Sequence, residues 1–375
     1  MHSYISIIFI MKKVAIIIVT YNGAEYIGDC LSSLKKMEYP ADSVKIIIVD
    51  NASTDNTADL IKKLITNYYL PITAIKNNQN LGFTGGNNVG LRYAIEHGFD
   101  YAYLLNQDTE VEPNFLSEAV RIAESDDQIG AVQSRLMLFN KKDTINSVGN
   151  QIHYLGFAFA GGHGTKITNY QPVPHSFSRG GLPITNYEIV YPSGAAVLIK
   201  VESLKKVGLL YDEYYMYHED VDLGWQFWLS GFKCVLAAES VVYHKYEFSR
   251  SIKKYYFMER NRYLVILQNY KLATFILFVP AFCLMDIAIF FYSFIGGWWR
   301  ELFKVYLYFL KPKNWQKLFA RRKLVQSRRV VPDKFIISRF VGKIEFQDLK
   351  NPLLNYIANP ILDLYWQLVK KIVWW

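Results

Sequence analysis

Cysteine is scarce in this 375-residue chain: Cys30, Cys234 and Cys283 are the only three. Their spacing fits no metal or redox motif, which suits a reducing compartment. No helix-turn-helix, zinc-finger or RRM pattern is visible, so nucleic acid is not an expected partner. The chain has neither a Walker A loop nor a G-x-G-x-x-G fingerprint. Internal repeats and low-complexity segments are absent as well. Residues 1–10 end in Ile7-Ile8-Phe9-Ile10 but have no basic n-region and no small-residue cleavage site, which argues against a signal peptide. Met11-Lys12-Lys13 is a second plausible start, and residues 1–12 are expected to be an extension outside the fold.

What the chain does have is apolar and aromatic bulk, 51% hydrophobic and 16% aromatic, which excludes disorder and favours a protein that touches membrane or buries much surface. Its length points to one large domain plus an appendage. The net charge of +9 is uneven. From residue 301 onward there are 15 Lys and Arg against 5 Asp and Glu, while the first 300 residues are nearly neutral. A basic, aromatic tail that follows an apolar run reads as a surface for anionic lipid.

Val14–Val19 and Val44–Val49 are continuous apolar, β-branched runs, the pattern of strands buried on both faces. Further strands are expected at residues 72–75, 101–105, 194–199 and 234–236. Helices are expected after Gly23 and at about 57–65, 87–97, 202–206 and 220–230. Strands alternating with helices at this spacing predict a doubly wound, mostly parallel α/β sheet. Residues 82–86 read as a Gly-rich loop. The segment at about 145–190 has weak periodicity and reads as strands and long loops.

Carboxylates mark the ends of these elements. Asp50 follows the second strand, at the sheet edge where α/β folds bind ligands. Asn106-Gln107-Asp108 follows the fourth, and Asp108 can offer a ligand to Mg2+ or Mn2+, which bridge carboxylates to substrate phosphates. Glu219, Asp220 and Asp222 crowd into four residues beside Tyr217, His218 and Trp225. Met singly, such residues are ordinary caps and turns. His244, at the end of a strand, is a candidate metal ligand or diphosphate contact. Group transfer to a hydroxyl with inversion needs one base, rather than a pair of carboxylates, together with positive charge at the leaving group. Asp220 is the candidate base.

In order, V-T-Y-N-G (19–23), V-D-N-A-S-T-D-N-T (49–57), N-L-G-F-T-G-G-N-N (80–88), L-N-Q-D-T (105–109), S-G-A (193–195) and E-D-V-D-L-G-W (219–225) resemble the motifs of family 2 glycosyltransferases with the GT-A fold. The similarity spans about residues 13–245. It implies a catalytic domain at 13–248 and a helical, membrane-associating or oligomerising region at 249–375. It further implies a nucleotide-sugar donor bound through Thr20, Tyr21, Asn22, Asp50, Asn51, Gly82, Gly86, Asn106 and Gln107, and a metal held by Asp108. Asp220 would be the base, with Glu219, Asp222 and Trp225 toward the acceptor or sugar. Two departures stand out: the D-x-D motif is reduced to Asn106-x-Asp108, and Gln226 stands where relatives often carry Arg. Tyr255-Tyr256-x-x-Glu259-Arg260-Asn261-Arg262 is similar to a segment of the rhamnosyltransferase-like branch and tilts the donor toward dTDP-rhamnose, with UDP-hexoses, UDP-galactofuranose and GDP-sugars open. A non-catalytic nucleotide-sugar-binding subunit of the same fold is the alternative.

Leu272–Gly296 carries only one charge, Asp286, and is long enough to cross a bilayer of roughly 30 Å. Basic flanks on both sides, with Pro280 between, favour a re-entrant hairpin, an interfacial helix or the core of a homo-oligomer. Pro352–Trp375 reads as an interfacial helix. The location expected is the cytoplasmic face of a membrane, with a glycan or lipid-linked acceptor.

Overall fold

The computed structural model describes residues 11–66, 68–170, 186–245, 252–345 and 352–375. The proposed extension, save its last two residues, and the middle of the 145–190 segment lie outside the described residues. The first half alternates strands β1 (Val14–Thr20), β2 (Val44–Asp50), β3 (Ile72–Lys76) and β4 (Tyr101–Leu105) with helices α1 (Ile27–Leu34), α2 (Thr57–Thr66) and α3 (Gly82–Glu96). Then come β5 (Thr109–Val111), α4 (Phe115–Ala123), β6 (Ile129–Leu138), β7 (Lys141–Ser147), β8 (Asn150–Ile152), β9 (Ala158–Ala160) and β10 (Tyr187–Glu188). They are followed by β11 (Ala196–Lys200), α5 (Val201–Val207), α6 (Glu219–Leu229) and β12 (Lys233–His244). The remainder is helical: α7 (Lys254–Asn269), α8 (Leu272–Ile295), α9 (Trp299–Phe309), α10 (Pro312–Ser327), α11 (Asp333–Ile337) and α12 (Asn359–Ile372).

One sheet runs β10-β12-β6-β11-β4-β1-β2-β3, with β5 and β7 paired on β12 and β6. Its β4-β1-β2-β3 half is parallel, as expected. β11 enters antiparallel between β4 and β6, so the sheet as a whole is mixed. Alternate residues of β1 feed different cores: Ile16 and Ile18 meet Ile27, Ile61 and Phe115, while Ala15 and Ile17 join the core that holds Leu91. The strand is apolar throughout because both faces are covered.

Two expectations change. The Gly-rich stretch is the opening of α3 rather than a loop before it. A side chain at Gly86 or Gly90 would strike Val19 or Ile17, so small residues let this helix lie close on the sheet. The apolar run is one continuous 24-residue helix rather than a hairpin, and only one side of it is covered by protein.

The last third is not packed as an appendage. Trp225 of α6 is 1% exposed and lies edge-on to Tyr270 and Phe340, and Tyr154 stacks on Trp366. These residues share one core with β1, β6 and β11. A fragment of residues 11–248 is therefore expected to lose cooperative unfolding, whereas the full chain unfolds in one transition. Urea melts followed by near-ultraviolet circular dichroism check this. A cooperative transition in the fragment would show that the two parts fold independently.

Candidate active site

The parallel strands bring three motifs to one edge of the sheet. Thr20 and Asp50 are side-by-side partners at the ends of β1 and β2, and Thr20 Oγ1 donates to Gln107 Oε1 from the turn after β4. Asn22 takes a left-handed conformation (φ +50°), where its Oδ1 accepts the Thr54 N–H at 2.8 Å. Tyr21 stands exposed beside it. Asp50 Oδ1 accepts the Ser53 N–H at 2.9 Å, while its Oδ2 is buried without a partner. A buried carboxylate oxygen costs free energy unless something donates to it. A base N–H or ribose hydroxyl reaching this strand end would meet that demand.

Other expected donor residues are used by the framework. Asn51 donates to Asn80 Oδ1 and to the Gly82 carbonyl, and accepts from Asn77 Nδ2 and the Leu81 N–H. Gly82 has φ +71°, and a Cβ there would lie 2.3 Å from the Tyr215 carbonyl oxygen. Asn106 closes the turn after β4, its N–H donating to Ala195 O at 2.9 Å and its carbonyl accepting from Thr109 Oγ1.

Asp108 and His244 meet where β5 pairs with β12, the first from the β4–β5 turn and the second from the end of β12, opposite Thr109. Asp108 Oδ1 and His244 Nε2 stand 3.4 Å apart. Neighbouring ligands of one Mg2+ or Mn2+, each at about 2.1 Å, lie roughly 3 Å apart, so this carboxylate and imidazole fit one cation. Asn146 Oδ1, 3.0 Å from His244 Nδ1, fixes the other side of the ring. Among the described residues no cluster of three His, Cys, Asp or Glu side chains occurs, so the donor phosphates and water would complete the shell.

The acidic motif opens α6. Asp220 Oδ2 accepts the Gly194 N–H at 3.3 Å, and its Oδ1 accepts the Val221 N–H at 2.8 Å. Burial outweighs these bonds and pushes its carboxyl up to about 6. Glu219 goes further above the carboxylate range, through burial and then the charge of Asp220. Its Oε2 is buried and unpartnered. Both residues line a cavity of about 510 Å3, together with His244, Asn146, Tyr191 and Arg262. Asp222 and Trp225 do not line it. At 100° per residue an α-helix turns Asp222 away from Asp220. The Asp222 carboxylate is 2% exposed and is held by Gln226 (2.6 Å), Gln268 (2.8 Å), Asn269 (2.8 Å) and Arg321 (3.3 Å). Gln226 thus serves the carboxylate knot rather than an acceptor. Sequence reading missed Asn146, which lies in the weakly periodic segment, and the cavity role of Arg262.

The sequence pattern of glycosyl transferase family 2 matches residues 15–208. The chain belongs to this family. It is 26% identical over 193 residues to the UDP-N-acetylglucosamine–dolichyl-phosphate N-acetylglucosaminyltransferase of Methanococcus voltae, covering 48% of this chain and 74% of that one. It is also 26% identical over 216 residues to the poly-beta-1,6-N-acetyl-D-glucosamine synthase of Staphylococcus epidermidis, covering 58% of this chain and 46% of the synthase. The fold is similar to that of GalNAc-T7 crystallised with UDP, GalNAc and Mn2+, with a TM-score of 0.56 at 15% identity over 69% of this chain and 48% of the other. The chain thus spans less than half of the synthase and of GalNAc-T7. The GT-A architecture expected from the motifs is the one observed.

If the Asp108–His244 pair holds the cation, Asn146→Ala should weaken Mn2+-dependent nucleotide-diphosphate binding by about 10–100-fold, the usual effect of losing a ligand's outer support. Titration calorimetry with UDP, dTDP and GDP, with Mn2+ and with EDTA, measures it. Equal affinity in Mn2+ and EDTA would remove the metal from this site.

Proposed function

We propose that the chain is an inverting glycosyltransferase that moves a sugar from a nucleotide diphosphate to a hydroxyl of a glycan or lipid-linked acceptor, with Asp220 as the base. The observation that carries this reading is the placement of Asp220 on the cavity wall at the start of α6, held by the Gly194 and Val221 N–H groups and with its carboxyl raised to about 6 by burial. Asp220 takes the acceptor proton as the acceptor oxygen attacks the anomeric carbon, and the bond to the diphosphate breaks on the opposite side. The diphosphate leaves with the bonding electrons, and the anomeric configuration inverts. A cation on Asp108 and His244 would supply positive charge at that leaving group. Thr20, Asp50 and Gln107 border the nucleoside, with Asp50 Oδ2 as the acceptor that reads it.

For the donor we favour a UDP-N-acetylhexosamine. The names of both curated relatives specify N-acetylglucosamine chemistry. The 255–262 segment that tilts the sequence reading toward dTDP-rhamnose belongs to α7, where Glu259 and Arg262 wall the cavity. A panel of UDP-, dTDP- and GDP-sugars, assayed for nucleotide release with Mn2+, tests the donor.

The acceptor end is proposed to sit against a membrane. Among the described residues, all the strongly exposed large apolar side chains except Met11, Tyr21, Tyr69 and Ile252 come after residue 270. They form stripes at helical spacing: Ile276, Leu284, Ile287 and Phe291 on α8; Trp299, Phe303, Leu307 and Leu310 through α9; Ile361, Leu364, Leu368 and Ile372 on α12. Each of these helices also buries a second apolar face, so the outward stripe is not needed for the fold. With the basic surplus of the same region, this surface matches an anionic bilayer. Ile289 and Tyr292 of α8 wall the cavity, which brings a lipid-borne acceptor within one helix of the bilayer.

Asp220→Asn should keep nucleotide binding and lose transfer by about 10²–10⁴-fold. Because the base works ionised and its pKa is raised, wild-type kcat/KM should be flat at high pH and fall as pH drops through about 6. Transfer by the variant within threefold of wild type would remove Asp220 from this role. The full chain should float with phosphatidylglycerol vesicles and be loosened but not released by high salt, since apolar burial is not screened. A chain left at the bottom of the gradient as a soluble oligomer would assign the stripes to a second copy instead.

A further inference from the structure

Three of the four residues before Glu219 hold left-handed backbone: Tyr215, Tyr217 and His218, with φ of +64°, +66° and +69°. None is glycine, so each is strained and persists only where the surroundings over-determine it. The surroundings that do so come from α7. Asn261, fully buried, directs Nδ2 at the carbonyls of Tyr214, Met216 and Tyr217 at 3.0, 2.9 and 2.7 Å. Its Oδ1 accepts from Arg260 Nε at 3.0 Å and Nη2 at 2.8 Å, which fixes which edge of the amide faces the turn. Arg260 Nη2 also donates to the carbonyls of Glu213 and Tyr214. From the other side, the Thr84 N–H of α3 donates to the Tyr215 carbonyl at 3.1 Å. His218 Nε2 donates to the Gly156 carbonyl at 3.2 Å, and burial keeps its ring neutral by lowering its pKa to about 4.

We propose that Arg260 and Asn261 are positioning residues for the base: they clamp the strained 214–218 turn so that α6 begins with Asp220 against the Gly194 N–H and facing the cavity. The clamp touches neither donor nor acceptor, and its effect passes through the backbone. Arg262, on the same helix, is bound to Asp286 of the apolar helix α8 at 3.0 Å, so the clamp is anchored at its far side to the surface proposed to meet the bilayer. A core asparagine that merely fills space would lower stability and donor binding together. A positioning asparagine lowers turnover alone.

The inference rests on Asp220 being the base, and the experiment separates the two. Asn261→Ala, Arg260→Lys and Asp220→Asn are compared by nucleotide release from whichever panel sugar wild-type protein turns over fastest, with thermal melting and Mn2+–nucleotide titration alongside. Arg260→Lys keeps the charge but not the guanidinium fork, and serves if Asn261→Ala does not fold. The expected result is a kcat lower by about 100-fold, the scale of a misplacement near 1 Å, with donor KM within twofold. The acid limb of kcat should also move below its wild-type position, because a relaxed turn admits water to Asp220. Folded clamp variants with kcat within threefold of wild type, while Asp220→Asn is inactive, would overturn the clamp alone. A loss of kcat matched by equal loss of nucleotide binding would make the pair merely structural. An active Asp220→Asn would overturn the base itself.

Discussion

The burial of one carboxylate organises this molecule. Asp222 sits in the interior at 2% exposure, and an ion there is tolerated only if donors surround it. Those donors come from three helices: Gln226 from α6 itself, Gln268 and Asn269 from the end of α7, and Arg321 from α10. Satisfying the charge therefore fixes the C-terminal helices on the helix that carries the acidic motif. Helical geometry then turns Asp220 the opposite way, toward the cavity. Structure and chemistry separate within two residues of sequence.

The same logic recurs at the cavity wall. Arg262 is 1% exposed, yet it is paired with Glu259 and Asp286 and donates to the Leu155 carbonyl. Asp286, the lone charge of the apolar run, is explained by that pairing. It anchors α8 by its inner side and leaves the outer stripe bare. The last third of the chain thus does two things at once: it completes the catalytic core inward and offers apolar surface outward.

Much of this was legible in the sequence. Continuous β-branched runs marked the parallel strands because both faces are covered, and the residues at their ends fell at one edge of the sheet because parallel strands end together there. The start of α3 was misplaced because glycines read as loop, whereas Gly86 and Gly90 are small for close contact with Val19 and Ile17. Asp222 and Trp225 looked like acceptor residues because spacing within an acidic cluster does not tell which side of a helix meets solvent. Asn146 gave no local signal at all. Its role exists only once β7 brings it to the end of β12, a long-range pairing that short-range periodicity does not encode.

The proposed single displacement driven by one base is read out by the configuration of the transferred sugar. Proton NMR of the glycoside formed from an α-linked nucleotide sugar should show a β-linkage from the first turnovers. An α-linked product would rule out single displacement, since retention requires a nucleophile or an internal-return path that Asp220 as sole base does not provide.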